Sequence, residues 1–283
     1  MEYGDKHILV LGAGASGIGA SWVLAQVGAH VVLNDYKPVT LPADEEKRLV
    51  SAGVDIITGR QDESLLDGVD RIVISPGISL DIPIVKAAQA RGIDVVSEVE
   101  VAYELSKSPI VAVTGTNGKT TTTTLLTKVL EGTGKPVRVG GNIGDSLSEV
   151  AYSMPVDGFL VAELSSYQLE TIKYFRPIGA IMLNITPDHL ARHKTMENYI
   201  AAKERIFENQ LSTDFMVLNI DDPIVADMKH RVPSHILEIS QHQVVSNGAY
   251  YVKGQCYVTK NGTATPVIGS ADIHIPGSHN IEY

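Results

Sequence analysis

The residues with the clearest chemical potential form a glycine-rich turn between a predicted strand and a predicted helix. The apolar run Ile110–Thr114 leads into Gly115-Thr116-Asn117-Gly118-Lys119-Thr120, and a helical stretch follows. In a phosphate-binding loop of this kind, backbone N–H groups surround phosphate oxygens, the lysine neutralises them, and the threonine hydroxyl reaches Mg²⁺. Val113 stands where the common GxxxxGK pattern has its first glycine. The turn predicts ATP binding by Gly115, Thr116, Asn117, Gly118, Lys119, Thr120 and Thr121.

A second glycine turn lies near the start of the chain. Gly12-x-Gly14-x-x-Gly17 follows one predicted strand, and Asp35 ends the next. This pattern allows a tight turn, the approach of a pyrophosphate to the backbone, and close packing of helix on strand. Ser75-Pro76-Gly77 adds a polar loop at the end of another strand. Three interpretations remain open: a dinucleotide such as NAD, another nucleotide diphosphate, or a tight turn without a ligand.

Three further residues are candidate partners of a metal ion or a phosphate. Glu163 ends a buried strand, where a carboxylate in a phosphate-loop fold commonly holds Mg²⁺; the alternative is an acid at a helix start. His189 lies in a Thr-Pro-Asp-His segment, where a histidine alone is more typical of a loop or a helix cap. Lys203, taken alone, is typical of a lysine on the solvent side of a helix.

Composition excludes several classes of protein. The chain has 283 residues, of which 44% are hydrophobic and 20% are charged, as in ordinary globular proteins rather than disordered ones. Subtracting 33 acidic from 23 basic side chains gives a net charge of −10, which argues against a general nucleic-acid-binding protein. Cys256 is the single cysteine, so we expect neither an internal disulfide nor a cysteine-based zinc site.

Strands and helices alternate in two successive series, which predicts an α/β fold. We expect a Rossmann-like domain over 1–107 and a P-loop-type α/β ATPase domain over 108–283, each with a parallel sheet. The second series includes a predicted strand over Gly179–Thr186 and a predicted helix over Glu197–Gln210. Asn247-Gly248 and Asn261-Gly262 predict a small late region of β-hairpins.

The sequence predicts a cytoplasmic protein that does not cross a membrane. The first residues, MEYGDK, are acidic where a signal peptide needs basic residues. The stretch from His7 to Asn34 has no formal charge and is long enough to span a bilayer. Five glycines interrupt it, so it is better explained as strand, turn, helix and strand.

At this point the motifs resemble those of the Mur ligases, the family of peptidoglycan synthesis that joins an amino acid to a UDP-muramoyl precursor. The ATP loop is similar, including its missing first glycine. Further blocks are similar to the family's metal-binding and adenine-side motifs and, within the family, to the member that adds D-glutamate. They are Glu163–Leu169, Asn184 through Asp188-His189-Leu190 to His193, Tyr199 with Ala202-Lys203, and Gly277-Ser278-His279-Asn280.

The resemblance implies that the first domain binds the UDP end of the precursor rather than NAD. The residues it implies for that substrate are Gly14, Ala15, Ser16, Asp35, Tyr36, Ser75, Gly77 and Asn142. Asn142 would contact the substrate near its reacting end, and Asn280 would contact the nucleotide. The implied partners are UDP-N-acetylmuramoyl-L-alanine and D-glutamate, and we expect a monomer that binds neither nucleic acid nor membrane.

The resemblance also implies the reaction. ATP would phosphorylate the precursor's carboxylate to an acyl phosphate, and the amine of D-glutamate would displace phosphate. Lys119, His189, Lys203 and Asn142 would be catalytic. Two Mg²⁺ ions would be held by Thr120, Glu163, His189 and Lys203, the lysine after carbamylation by CO₂, because a protonated amine repels a cation.

The sequence departs from the family near residue 283. Tyr283 stands where the family has a second asparagine, and a third domain that captures the amino acid would follow. We therefore expect a chain without that domain, which binds both nucleotide ligands but forms the amide poorly. The alternatives are another Mur-type ligase, an NAD-dependent Rossmann oxidoreductase, which leaves the Lys119 loop without a purpose, or a non-catalytic nucleotide sensor.

Overall fold

The structure is a computed structural model that describes residues 3–273, in two compact units. The first unit contains the chain up to Ser108 together with Arg138–Leu160 and Ser166–Phe175. The second contains Pro109–Val137, Val161–Ser165 and the chain from Arg176 onward. This grouping assigns two later segments to the first unit, and the predicted division into 1–107 and 108–283 stays a prediction.

Strands and helices alternate through most of the chain. The strands are β1 (His7–Leu11), β2 (His30–Asp35), β3 (Asp55–Thr58), β4 (Arg71–Ile74), β5 (Asp94–Ser97), β6 (Ile110–Thr114), β7 (Val137–Gly141), β8 (Phe159–Glu163), β9 (Gly179–Met182), β10 (Phe215–Asn219), β11 (His235–Ser240), β12 (Gly248–Val252), β13 (Gln255–Lys260) and β14 (Thr263–Gly269). The helices are α1 (Ala15–Gln26), α2 (Ala43–Ser51), α3 (Pro83–Ala90), α4 (Glu98–Leu105), α5 (Lys119–Glu131), α6 (Leu147–Ser153), α7 (Ser166–Leu169), α8 (Leu190–His193), α9 (Met196–Glu204) and α10 (Pro223–Asp227). Between residues 3 and 273, no helix combines the length and hydropathy needed to cross a bilayer.

The first sheet is parallel throughout, in the order β3-β2-β1-β4-β5. Alternate residues of β1 point to opposite faces: Ile8 packs with Leu24 of α1, and Leu9 packs with Ile84 of α3. Helices therefore cover both faces, which confirms the predicted doubly wound arrangement. The strand order reverses between β1 and β4, and ligands of such sheets bind at the carboxyl ends of the strands beside that reversal.

The second sheet has the order β14-β13-β12-β11-β10-β9-β6-β8-β7. The pairs β6 with β9, β9 with β10, and β10 with β11 are parallel, whereas β12, β13 and β14 form an antiparallel ribbon. The strand before the phosphate-binding loop, β6, lies between β9 and β8. Segments that follow β9 and β8 are therefore the natural neighbours of that loop. The late ribbon confirms the predicted β-hairpin region.

Only one of the two predicted hairpin turns is correct. Asn261 and Gly262 join β13 to β14 with φ of +52° and +77°, as a two-residue hairpin turn requires. The prediction for Asn247-Gly248 is wrong, because β11 and β12 are parallel. A Cβ on Gly248 would lie 1.9 Å from the Glu238 carbonyl oxygen, so this glycine permits a close backbone approach. The other turn is Lys253-Gly254, between β12 and β13.

Two predicted elements end earlier than expected. The predicted strand Gly179–Thr186 stops at Met182. Leu183 N–H still donates to the Thr114 carbonyl oxygen of β6, and from Asn184 onward the backbone groups bond to other partners, described below. The predicted helix Glu197–Gln210 is α9, which becomes a 3₁₀ turn at Arg205–Phe207.

Candidate functional site

The predicted phosphate-binding loop joins β6 directly to α5. Gly118, at the start of α5, has φ of +84°, a left-handed conformation that suits glycine. Gly115 has φ of +151°, and a Cβ there would lie 2.9 Å from the Cβ of Leu183. No side chain of the described residues caps α5, so the N–H groups of its first turn have no partner in the helix. Such a helix N-terminus attracts anions.

Lys119 begins α5 and folds back over the loop. Its Nζ donates hydrogen bonds to the carbonyl oxygens of Gly115 at 3.1 Å and Thr116 at 2.9 Å. Burial lowers the pKa of Lys119, and the negative charges of Glu163 and Asp188 act in the opposite direction. The loop therefore holds a half-buried positive charge beside a helix N-terminus. Thr120 and Thr121 follow in the first turn of α5, where Thr120 is exposed.

A second loop, which we call the clasp loop (residues 183–186), holds the phosphate-binding loop from the end of β9. Thr116 N–H donates to the backbone oxygen of Asn184 at 2.8 Å, and Asn117 N–H donates to its Oδ1, also at 2.8 Å. Asn184 Nδ2 donates back to the Asn117 carbonyl oxygen at 3.1 Å. Thr186 N–H donates to Thr116 Oγ1 at 3.0 Å. These bonds explain why β9 stops before the clasp loop.

Glu163 ends β8 next to the phosphate-binding loop, and its side chain is buried. The backbone beside it is fixed to β6: Leu164 N–H donates to the Val113 carbonyl oxygen at 2.9 Å, and Thr114 Oγ1 donates to the Leu164 carbonyl oxygen at 2.8 Å. Its charge raises the pKa of Lys119 against the effect of burial. The structure thus brings the predicted acid and the predicted lysine together.

His189 has a left-handed backbone, with φ of +53°. Its N–H donates to Asp188 Oδ1 at 2.7 Å, and its Nε2 lies 3.4 Å from Asp188 Oδ2. The side chains of both residues are 45% exposed, so the imidazole can reach a ligand from solvent. Asp188 orients this imidazole, and its charge also acts on Lys119.

Lys203 lies on α9 and is 1% exposed, unlike the solvent-exposed lysine that its local sequence favours. Its Nζ donates to the Gly115 carbonyl oxygen at 2.7 Å and lies 3.4 Å from Thr114 Oγ1, over the ring of Tyr199. Burial, assisted by the charge of Lys119, lowers the pKa of Lys203 to about 7, although Asp188 opposes the shift. A large fraction of this amine is therefore neutral near pH 7.

In the first unit, the glycine turn after β1 packs against the loop after β4. Gly12 has φ of +101°, and a Cβ there would lie 2.8 Å from Ser75. A Cβ on Gly17 would lie 1.8 Å from the Gly12 carbonyl oxygen. Gly14 differs, because its φ is −87° and a Cβ would meet no protein atom within 4 Å. The backbone at Gly14 is therefore open on the side where a side chain would lie.

The predicted substrate residues of this unit surround the start of α1. Gly14 caps α1 without a side-chain hydrogen bond from any described residue, and Gly14 and Ala15 are exposed. Ser16 is the second helical residue, and Gly77 is exposed in the loop after β4. The N-terminus of α1 and the loop after β4 thus place backbone N–H groups at the strand-order reversal, where a diphosphate is expected to bind.

Asp35 supports the glycine turn from the end of β2. Its Oδ2 accepts the Ala13 N–H at 3.0 Å, and its Oδ1 accepts the Lys37 N–H at 2.9 Å. Tyr36 is 70% exposed. Contact of these two side chains with the UDP end of the precursor stays a prediction, as does the substrate contact of Asn142. Asn142 is exposed in the loop between β7 and α6, beside Gly141 with φ of +111°.

Two further predicted features concern Asn280 and the metal ions. Asn280 lies outside the described residues. In the part of the chain that the structure describes, no three His, Cys, Asp or Glu side chains meet in a metal-binding group, so the two-metal site stays a prediction. Its donors, the Thr120 hydroxyl and the Glu163 carboxylate, are the hard oxygen ligands that Mg²⁺ prefers.

Sequence reasoning missed Asp222, which accepts the Ile185 N–H of the clasp loop at 2.7 Å. A signal was available, because Asp222-Pro223 is typical of a helix N-cap followed by proline at the first helical position. It predicts α10, which the sequence analysis left unassigned.

Two sequence families match the chain. The Mur ligase middle domain matches residues 113–282, and the Mur ligase MurD-like N-terminal domain matches residues 6–97.

Curated relatives match over the whole chain. A UDP-N-acetylmuramoylalanine–D-glutamate ligase of Thermoanaerobacter sp. (strain X514) is 45% identical over 282 residues, which is 100% of this chain and 62% of that protein. One of Halalkalibacterium halodurans is 41% identical over 99% of this chain and 61% of its own length. The chain therefore spans about three-fifths of the length of these relatives.

Solved structures share the fold at low identity. A UDP-N-acetylmuramate:L-alanyl-gamma-D-glutamyl-meso-diaminopimelate ligase of Neisseria meningitides has a TM-score of 0.64 at 20% identity, with 98% of this chain and 90% of that chain covered. MurF of Acinetobacter baumannii has a TM-score of 0.53 at 17% identity, with 98% of this chain and 57% of that chain covered.

Proposed function

This chain belongs to the Mur ligase family, and we propose that it binds the UDP-precursor and ATP in a ligase that adds D-glutamate to UDP-N-acetylmuramoyl-L-alanine for peptidoglycan synthesis. The observation that carries the proposal is the meeting of Lys119, Glu163 and Lys203 at one phosphate-binding loop. The relatives at 41–45% identity favour D-glutamate among the family's amino acids. We propose a cytoplasmic monomer as its natural setting.

The reaction must bring two anions together, the precursor carboxylate and the γ-phosphoryl group of ATP. Transfer of the phosphoryl group gives an acyl phosphate, from which the amine of D-glutamate displaces phosphate. Preorganised positive charge is the main means of lowering such a barrier. Lys119 supplies it directly, because its Nζ already lies over the loop at 2.9–3.1 Å from two carbonyl oxygens.

The loop assigns different tasks to its two halves. The N–H groups of Thr116 and Asn117 donate to Asn184, so they shape the loop. The N–H groups at Gly118–Thr121 begin the uncapped helix, and we expect these to hold phosphate oxygens. Mg²⁺, when bound, would offset charge on the phosphoryl group and orient the carboxylate. Thr120 and Glu163 offer oxygen ligands for it, and His189 is oriented by Asp188.

Lys203 fits a carbamate. Addition of CO₂ to the neutral amine forms a nitrogen–carbon bond and releases one proton, which gives an anionic oxygen ligand in place of the uncharged amine. Only the unprotonated amine reacts, and burial lowers the pKa of Lys203 to about 7. The same burial disfavours the ammonium ion beside Lys119. We propose that the carbamate is the form that serves a second Mg²⁺.

In the first unit, the precursor's diphosphate would bind at the start of α1. The bare backbone at Gly14, together with exposed Ala15 and Gly77, supports this assignment. Asn142, in the same compact unit, would contact the precursor nearer its reacting end.

Binding to this chain tests the proposal. Isothermal titration is expected to show one site for UDP-N-acetylmuramoyl-L-alanine and one for Mg²⁺-ATP. Lys119→Met is expected to weaken ATP binding about 100-fold, since it removes a charge-assisted contact and a partly buried charge, and to leave precursor binding unchanged. In a protein that spans the full length of the curated relatives, ADP and the D-glutamyl product should appear in equal amounts, and L-glutamate should give no product. Binding of NADH in place of the precursor would overturn the proposal.

A further inference from the structure

The phosphate-binding loop depends on a chain of contacts that begins away from the nucleotide. Its first half is fixed by the clasp loop, through both the backbone and the side chain of Asn184. The clasp loop is in turn fixed at Ile185, which is 3% exposed. The Ile185 N–H donates to Asp222 Oδ2 at 2.7 Å. Asp222 is therefore linked to Asn117 through two intervening residues, Ile185 and Asn184.

The same carboxylate begins α10. Asp222 Oδ1 accepts the N–H groups of Ile224 at 2.8 Å and Val225 at 3.1 Å. Oδ1 thus fixes the carboxylate to the start of α10, and Oδ2 holds the clasp loop at a set distance from that helix. A carboxylate that accepts three N–H groups has little freedom to move.

We propose that Asp222 is a positioning residue for ATP, which acts through Ile185 and Asn184 on Thr116 and Asn117. The inference rests on the proposed function only in taking the Lys119 loop as the ATP site. Loss of the Oδ2 acceptor would release a buried N–H, and the clasp loop would shift to find a partner for it. The phosphate-binding loop, which carries Lys119, would then lose its support from the clasp loop. The proposed precursor site in the first unit would be unaffected.

Asp221 provides a matched control. It lies next to Asp222, and both of its oxygens also accept hydrogen bonds, from Ser240 Oγ and from Gln241 N–H, each at 2.6 Å. Those bonds connect to the end of β11 instead of the clasp loop. Asp221→Asn and Asp222→Asn therefore each alter a carboxylate of the same turn, and of the two only Asp222 accepts a hydrogen bond from the clasp loop among the described residues.

The experiment measures dissociation constants of Mg²⁺-ATP and UDP-N-acetylmuramoyl-L-alanine for each variant of this chain, together with its melting temperature. Asp222→Asn is expected to weaken ATP binding about tenfold, the effect of one hydrogen bond to a charged group, with precursor binding unchanged. Asp221→Asn is expected to lower the melting temperature similarly and to leave ATP binding within about twofold of wild type. Equal effects of both variants on ATP binding would overturn the inference.

A second variant, Asn184→Ala, keeps the proposed path testable if Asp222→Asn is poorly folded, and where Asp222→Asn folds the two variants form a double-mutant cycle. Asn184→Ala removes the side-chain contacts to Asn117 and is expected to weaken ATP binding selectively. If Asp222 acts through the clasp loop, the double variant should lose less than the product of the two single effects. Independent effects would contradict the proposed path. Failure of wild type to bind ATP would instead refute the proposed function, and with it this role.

Discussion

At the scale of the single residue, Lys203 shows how burial sets chemistry. Its ammonium group would lie beside Lys119 in an environment with little water, and both effects favour the neutral amine. The Gly115 carbonyl oxygen at 2.7 Å accepts a hydrogen bond from either form. The structure thus holds a nucleophilic amine against the phosphate-binding loop.

Replacement of this amine tests the proposed carbamate. In a protein that spans the full length of the curated relatives, Lys203→Ala is expected to lower the ligase activity about 100-fold, equivalent to ~2.7 kcal/mol of transition-state stabilisation. Added formate or acetate should restore part of that activity, because a small carboxylate can occupy the space of the carbamate oxygens. For wild type at constant dissolved CO₂, activity should rise as pH increases through about 7, where Lys203 loses its proton.

The control is the neighbouring lysine. Lys119→Ala removes a cation that no carboxylate can replace, so formate should restore nothing. Full activity of Lys203→Ala without added carboxylate would remove Lys203 from the metal site.

At the scale of the element, two glycines at the start of α1 have different roles, proposed ligand contact for Gly14 and close packing for Gly17. Gly14→Ala adds a methyl group to open space at an ordinary φ, so we expect the variant to remain stable. It should bind UDP-N-acetylmuramoyl-L-alanine about tenfold more weakly, because the methyl group blocks backbone contact with the diphosphate. Gly17→Ala adds one within 1.8 Å of the Gly12 carbonyl oxygen. Gly17→Ala should therefore lower the melting temperature by several degrees. Calorimetry measures the melting temperatures, and isothermal titration measures the precursor affinities. If Gly14→Ala left the precursor affinity unchanged, the diphosphate would have to bind elsewhere.

Elements with local signals were predictable, and elements fixed by distant contacts were not. The strand over Ile110–Thr114 has its predicted bounds, and the helix predicted after the glycine turn is α5, because that turn separates an apolar run from a helical pattern. The late hairpins were only half predictable, because Asn247-Gly248 has the composition of a turn. The approach of the Glu238 backbone gives Gly248 a different role, and no local pattern encodes that contact.

The candidate site follows the same division. Lys119 and Glu163 could be predicted, because a phosphate-binding loop and the end of a buried strand have recognisable sequences. The burial of Lys203 and the bond from Ile185 to Asp222 could not, because each joins segments far apart in the chain. The resemblance identified Lys203 and Asn184 as members of family motifs, and the structure supplies the contacts that Asn184 makes.

At the scale of the whole molecule, both proposed ligands are anions, and the protein is acidic. Residues 1–107 carry 16 acidic and 9 basic side chains, a net charge of −7, and the remaining residues carry 17 and 14, a net charge of −3. The overall field therefore repels a diphosphate. We expect attraction from the helix N-terminus at each proposed site and, in the second unit, from Lys119, and it acts at short range.

This balance predicts an unusual salt dependence for association. Between about 20 and 200 mM NaCl the Debye length falls from roughly 20 to 7 Å, so the long-range repulsion is screened while close contacts are retained. The association rate of UDP-N-acetylmuramoyl-L-alanine should therefore rise about twofold, as followed by stopped-flow fluorescence of Trp22. Trp22 is the single tryptophan of the chain, and it lies on α1 against Tyr152, with its ring centroid 4.3 Å from Arg48. Uridine, which is uncharged, should associate at a rate independent of salt. A rate for the precursor that falls with salt would show that the field at α1 is positive despite the acidity of the first unit.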